Sequence, residues 1–325
     1  MFSFVHCNLV DGLSPDNLVE CMGGQSSGLF GADISYPIRF FFILSIGALC
    51  WLEPFCLPEK SVAGLMMILA QGHFLLSYLY QFRAGKMNQG YARRYFPFAI
   101  VLFGACLFTP MERLIEGITG AYFVIHFFYD ERYLLREKAE FSGWKFTLPT
   151  IVLLSTEVIY RYAIAFPVWL YIIIFALCAT GMAWMVLRAI LSAQGFSVRN
   201  VYFLGIFGVA ALLTLSGKLL PGPVNLNAIN FIILVHFGNW YLSYVLKLRT
   251  QRVLFRKFLL ETIVVNGVMG GLMFLFVYPT SLVFLSGLTG LLYSRPYFHA
   301  WTILHYVATY RPADVMNWVP ARNSA

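Results

Sequence analysis

The stretch YFVIHFFYDERYLL (residues 122–135) begins as an apolar run and ends as a charged one. Residues 122–129 are apolar or aromatic apart from His126, and Asp130, Glu131 and Arg132 then follow in succession. A long apolar segment that ends in charges is typical of a helix leaving the hydrocarbon core of a membrane. We therefore predict that this stretch is the inner end of a transmembrane helix.

The composition of the whole chain agrees with that interpretation. The 325 residues are 59% hydrophobic and only 12% charged, and the mean hydropathy is +0.72. A soluble domain carries about 25% charged residues. The apolar residues recur in blocks about as long as a membrane-crossing helix. Lipid cannot satisfy the edge of an open sheet, so every block is interpreted as a helix. The predicted fold class is an all-α, polytopic helical bundle in a membrane.

Prolines and charged loops divide the chain into about ten predicted transmembrane helices. They lie near residues 38–57, 61–81, 96–110, 111–129, 147–165, 167–190, 200–218, 226–246, 258–277 and 279–293. A short C-terminal amphipathic or membrane helix follows at 297–310. The predicted organisation is a single transmembrane domain over 37–312, between a cytoplasmic N-terminal segment (1–36) and a C-terminal tail (313–325).

Basic residues predict how the bundle is oriented. The loops after the second, fourth, sixth, eighth and tenth spans hold sixteen Lys and Arg residues, Arg295 included, whereas the opposite loops hold three. Basic loops stay in the cytoplasm, so the N-terminus and the loops around 83–95, 130–146 and 247–257 are predicted to be cytoplasmic. The net charge of +8 then indicates contact with anionic membrane lipid rather than with nucleic acid.

Five of the six histidines fall in the predicted inner halves of spans. They are His73, His126, His236, His299 and His305. Counted from neighbouring basic residues, all five lie roughly 6–17 Å from the inner boundary at about 1.5 Å per residue. Ionisable residues within a membrane are costly and mark functional sites. Histidines from several helices at one depth could therefore converge on one polar cavity.

The residues beside His126 suggest what such a cavity would hold. His126 and Asp130 are four residues apart, on one helical face, so both could reach a single ion. Glu131 is an alternative ligand, or a hydrogen-bond partner for an imidazole N–H. Imidazoles with a carboxylate suit non-haem iron, with zinc or manganese as competitors. The chain contains neither an HExxH zinc motif nor a CxxCH haem-attachment motif.

The leading prediction is a metal-dependent oxidoreductase, with iron as the metal, acting on a lipophilic small molecule such as a fatty acyl chain or an isoprenoid. Its predicted ligands are His73, His126, His236 and His305 with Asp130 or Glu131, and His299 is a further candidate. His299 and His305 lie about 120° apart around a regular helix, so they cannot easily bind one ion together.

Three alternatives remain open at this stage. The histidines could form only interhelical hydrogen bonds, in a membrane scaffold or assembly protein. Two of them could be the axial ligands of a b-type haem. The chain could also be a transporter, in which the histidines relay protons. In that case Glu157 and Arg161, four residues apart in the fifth predicted span, would form a gate or a substrate anchor.

Overall fold

The computed structural model is helical over almost all the residues that it describes. These are residues 31–56, 61–83, 89–105, 108–134, 147–162, 167–191, 198–219, 228–278 and 283–309. Most of the predicted N-terminal segment, the C-terminal tail and much of the predicted inner loops lie outside them. So do a few side chains at helix ends, including those of Arg132 and Arg161. Within the described residues there is no strand, and the all-α prediction is confirmed.

Eleven helices make up the described part of the chain. They are α1 (Gly31–Cys56), α2 (Ser61–Arg83), α3 (Gln89–Ala105), α4 (Thr109–Leu134), α5 (Leu148–Tyr162), α6 (Val168–Leu191), α7 (Val198–Leu219), α8 (Ala228–Leu248), α9 (Arg252–Val277), α10 (Val283–Tyr293) and α11 (Arg295–Thr309). Six of them, α1, α2, α6, α7, α8 and α9, contain a segment long and apolar enough to cross a membrane. The prediction of a multi-pass membrane bundle is confirmed to that extent. Ten crossings, and the side on which the N-terminus lies, stay predictions.

Helix α8 lies at the centre of the bundle, and it contacts α1, α2, α4, α5, α7 and α9. Small residues let neighbouring helices approach closely where lipid supplies no hydrophobic driving force. A Cβ atom at Gly120 of α4 would lie 2.6 Å from Cγ1 of Val158 in α5, which is closer than real side-chain atoms come. The absence of a side chain at Gly120 therefore sets the spacing between α4 and α5.

Of the tenth predicted span, 279–293, the structure describes residues 283–293, and these form helix α10. Helix α10 has 11 residues, or about 16 Å of helix, roughly half of the 30 Å hydrocarbon core. Trp301 Nε1 donates a hydrogen bond to the carbonyl of Leu291 at 3.0 Å. Ten residues along an unbroken helix would separate these positions by about 15 Å. The helix axis therefore turns sharply at Ser294. Pro296 follows in the first turn of α11, where a proline is tolerated, but it could not continue α10.

The prediction that places Arg295 among the inner basic residues is wrong. Arg295 forms an ion pair with Glu116 near the beginning of α4, whereas His126, ten residues further along α4, contacts His305. Helices α4 and α11 therefore run in the same direction, and Arg295 lies towards the opposite end of α4 from Asp130. With Arg295 counted among the outer residues, the predicted inner loops hold fifteen Lys and Arg residues and the outer loops hold four. This bias favours the same orientation.

Candidate metal centre

Four histidines from four helices meet in the centre of the bundle. His73 of α2, His126 of α4, His236 of α8 and His305 of α11 form this histidine cluster. Ring centroids are 4.7 Å apart for His73–His305 and 5.4 Å apart for His73–His236. The corresponding distances are 5.2 Å for His126–His236 and 5.8 Å for His126–His305. All four side chains are buried. The sequence-based expectation that these imidazoles approach one another agrees with this geometry, although it does not test metal binding.

Asp130 completes a set of metal-ligating atoms at one edge of the histidine cluster. Its Oδ2 lies 3.4 Å from Nε2 of His126 and 3.9 Å from Nε2 of His236. One ligand atom from each of these three residues lies within 4.8 Å of the other two. The Asp130 side chain is 24% exposed, whereas His126 is fully buried. Asp130 therefore marks the side from which a cation could enter.

The distance between the other two imidazoles also suits a shared ion. Nε2 of His73 lies 3.2 Å from Nε2 of His305. Two nitrogens each about 2.1 Å from one ion, with about 100° between the bonds, lie about 3.2 Å apart. The same distance would allow a hydrogen bond between two neutral imidazoles. The His73–His305 pair is therefore compatible with metal binding without requiring it.

The lack of hydrogen bonds at His236 favours a ligand-binding site over a packed polar core. Both of its ring nitrogens are buried and lack a hydrogen-bond partner among the described residues. Nearly all buried polar atoms in proteins have such a partner. The 3.9 Å contact with Asp130 is too long for a hydrogen bond. A buried imidazole that lacks a hydrogen-bond partner and lies beside a carboxylate and three other imidazoles is suited to binding a metal ion.

Aromatic rings enclose the histidine cluster. Phe74 stacks on His305 with centroids 4.8 Å apart, and Trp240 meets His73 edge-on at 4.7 Å. Further ring contacts come from Phe123, Phe237 and Tyr306. This wall keeps the imidazoles away from lipid and limits the entry of water.

Glu131 lies apart from the histidine cluster, in a buried polar network. Its Oε2 accepts hydrogen bonds from Tyr202 Oη at 2.5 Å and from Asn239 Nδ2 at 3.1 Å. Arg39 Nη1 lies 3.5 Å from the same oxygen, and Arg39 also binds Ser243. This network joins α1, α4, α7 and α8. Sequence reasoning missed it, although a single arginine within the apolar run that starts near residue 36 was a signal that a buried partner must exist.

His299 also lies apart from the histidine cluster. Its Nε2 is 3.6 Å from Oε1 of Glu116, beside the ion pair between Glu116 and Arg295. The predicted Glu157–Arg161 pair is not tested, because the Arg161 side chain lies outside the described residues; Glu157 itself is buried. Of the predicted ligands, the structure thus brings together the four clustered histidines and Asp130, and separates His299 and Glu131 from them.

A cavity of about 190 Å³ connects the histidine cluster to the Glu116–Arg295 pair. His126, His236 and His305 line one end, and Glu116, Arg295 and His299 line the other. The wall between the two ends is mostly apolar and includes Met66, Met67, Phe74, Phe123, Ile229, Ile233, Phe237 and Phe298. No pattern in the sequence indicates these lining residues, because they come from four helices far apart in the chain.

Comparison with known proteins adds no assignment. No protein-family model matches the chain, and neither a curated protein nor a solved structure matches it.

Proposed function

We propose that the chain is a membrane-embedded, metal-dependent oxidoreductase that acts on a lipophilic small molecule. The observation that carries the proposal is the convergence of four buried imidazoles and Asp130 at the end of an apolar cavity. Burying so many titratable groups in a membrane is costly unless a ligand compensates for it.

The types of ligand atom restrict which metals the site could bind. Imidazole nitrogens with one carboxylate oxygen suit iron(II), zinc and manganese, whereas calcium and magnesium prefer sites made of oxygens. We propose iron, held by His126, His236 and Asp130, whose ligand atoms lie within 4.8 Å of one another, with the His73–His305 pair next to it. When bound, such an ion can activate dioxygen or polarise a substrate group. The chain itself positions the imidazoles, excludes water through its aromatic wall and admits the substrate through the cavity.

The cavity supports a lipophilic substrate. Its wall between the two polar ends is mostly apolar, and His126, His236 and His305 close one end. A molecule lying in the cavity would therefore bring its buried end next to the proposed ligands. Membrane lipid surrounds the bundle, so an apolar substrate would have a short path into this space.

The geometry favours a non-haem site over a b-type haem. Two axial histidines on opposite faces of a haem iron would hold their ligating nitrogens about 4 Å apart, with the porphyrin between them. His73 and His305 approach to 3.2 Å, and aromatic side chains pack directly around them. This arrangement leaves no flat slot between the two rings.

A transporter is the second candidate, because of the break between α10 and α11. Transporters bind their cargo near interrupted helices, and Arg295 at the start of α11 lines the cavity. The two functions differ in what they require of the histidine cluster. A bound metal is needed for the proposed oxidoreductase, whereas a proton-relaying transporter needs titratable imidazoles without one.

Metal analysis of the detergent-purified protein tests the proposal. We expect iron close to one ion per chain, and no Soret band in the absorption spectrum. His236→Ala should lose most of the metal, because it removes the imidazole whose nitrogens have no other partner. The matched control is His299→Ala, which removes a histidine that lines the same cavity far from the histidine cluster.

Equal metal loss in the two variants would show that the effect is not specific to the histidine cluster. A wild-type protein that contains no metal after expression in iron-rich medium, and that takes up none of iron, zinc or manganese when each is added back, would refute the proposal. A strong Soret band would replace it with the haem alternative.

A further inference from the structure

We propose that the Glu116 end of the cavity binds a neutral, oxygen-bearing head group of a long lipophilic molecule, with Thr119 and Glu116 as the contacting residues. The inference deepens the proposed function and rests on it in one respect. The far end of the same molecule would lie at the histidine cluster.

Thr119 is the residue that indicates a ligand at this end. Its side chain is 3% exposed and lines the cavity. Its Oγ1 has no hydrogen-bond partner among the described residues. A threonine within a helix can bond to the carbonyl four residues earlier, and Thr302, which lines the same cavity, does so with Phe298 at 2.9 Å. A buried hydroxyl that lacks such a bond and faces an open cavity is suited to a ligand oxygen.

Glu116 lies one helical turn before Thr119 and provides the second contact. It is 1% exposed, and its Oε2 accepts a hydrogen bond from Arg295 Nη2 at 2.5 Å. His299 lies 3.6 Å from its other carboxylate oxygen. The Arg295 side chain is 60% exposed, so this end of the cavity opens towards the surface of the bundle. A molecule could enter there and leave its head group between α4 and α11.

The charges at this end favour a neutral head group over an anionic one. The carboxylate of Glu116 offsets the guanidinium of Arg295, so the pair presents little net charge to a ligand. A carboxylate head group would also lie beside the buried carboxylate of Glu116, and like charges at close range repel. A hydroxyl group avoids that repulsion, and it can both accept from and donate to its neighbours, as Thr119 and Glu116 require.

The length of the cavity fixes the shape of the molecule. Glu116 and His126 are ten residues apart on α4, which corresponds to about 15 Å. The wall between them is mostly apolar, with Met66, Ile233 and Phe237 among its residues. A ligand that fills this space therefore has a polar head and a long apolar chain. The chain places its distant carbons, rather than its head group, next to the proposed metal ligands.

Competition binding to the detergent-purified protein tests the inference. The probe is tritiated tetradecanol, with unlabelled tetradecanol, tetradecanoate and tetradecane as competitors. We expect tetradecanol to bind several-fold more tightly than tetradecanoate or tetradecane. Thr119→Val keeps the shape of the side chain but removes the hydroxyl, and should weaken tetradecanol binding about threefold to tenfold. The matched control is Thr302→Val, which should leave binding unchanged because that hydroxyl is already bonded within its own helix.

Glu116→Gln provides a second, independent variant. It removes the carboxylate that offsets Arg295, so the preference should move from tetradecanol towards tetradecanoate. Tetradecanol binding that is equal in the wild type, Thr119→Val and Thr302→Val would overturn the inference. Competition by tetradecane as strong as that by tetradecanol would overturn it as well.

Metal content measured in the same samples separates this inference from the proposed function. If the protein contains metal but Thr119→Val binds tetradecanol like the wild type, the head-group site fails and the metal centre stands. If the binding series behaves as expected in a protein that neither contains nor takes up metal, the head-group site stands and the oxidoreductase proposal fails.

Discussion

Replacing Glu131 by Gln should destabilise the fold and leave the metal ligands in place. Glu131 is fully buried and Arg39 is 2% exposed, with 3.5 Å between Arg39 Nη1 and Glu131 Oε2. At an effective dielectric constant of about 20, two unit charges at that distance attract by about 5 kcal/mol. The amide of Gln keeps the shape but loses the charge, so Arg39 would stay buried without a counter-ion. Breaking a buried pair in this way costs about 3–5 kcal/mol.

Thermal unfolding in detergent measures this effect. A loss of about 3–5 kcal/mol corresponds to a decrease in Tm of about 4–7 °C for a protein of this size. The matched control is Glu261→Gln, which removes the acidic partner of Arg83 from a pair whose side chains are 42% and 18% exposed. Exposed pairs contribute only about 0–1 kcal/mol, so the control should unfold within about 2 °C of the wild type.

Two results would refute this reasoning. An unchanged Tm for Glu131→Gln would mean that the buried network does not hold α1 against α4. Loss of metal from a Glu131→Gln protein that unfolds like the wild type would mean that Glu131, rather than Asp130, supplies the carboxylate. The expected protein is less stable and, while folded, retains its metal.

Asp130→Asn should lower metal content strongly and shift Tm by less than Glu131→Gln, because an amide binds cations poorly and Asp130 is partly exposed; metal analysis and thermal unfolding of one sample measure both. Gly120→Ala should lower Tm, because the new methyl group would overlap Val158 and overpacking costs about 1–3 kcal/mol. Gly181→Ala, where nothing lies within 4 Å, is its control and should be neutral or slightly stabilising. Single cysteines at positions 138 and 252 should react only with reagents that reach the inner side; labelling from outside would reverse the predicted orientation.

The all-α bundle and the convergence of four histidines were accessible from sequence because both depend on position along helix axes. Basic residues at helix ends place His73, His126 and His236 at a depth, and helices packed side by side bring equal depths together. The depth of His305 was counted from Arg295, which lies at the other end of α4, so His305 joins the histidine cluster although the reasoning that placed it was wrong. His73 and His236 lie ten and eleven residues before Arg83 and Lys247, and their rings lie 5.4 Å apart. Depth alone does not predict the rotation of each helix about its own axis. The pairing of His73 with His305 therefore required the structure.

The position of Arg295 shows where depth estimates fail. The estimate assumes that each apolar block crosses the membrane completely, so it assigns a basic residue after the block to the opposite side. The described part of this block, α10, has only 11 residues, and the chain turns at Ser294 and brings Arg295 to Glu116 instead of to the inner side. No local pattern distinguishes such a turn from an ordinary loop. His299 was misplaced for the same reason, since its depth was counted from Arg295.

The separate roles of Asp130 and Glu131 follow from helix geometry. Successive residues on a helix point about 100° apart, so neighbouring carboxylates cannot face the same side of α4. Asp130 shares a face with His126 and reaches His236 of α8. Glu131 instead binds Asn239, one turn further along α8. The buried network therefore fixes the rotation of α4 against α8 next to the place where Asp130 meets His236, so the geometry of the proposed metal ligands depends on the same contacts that hold the bundle together.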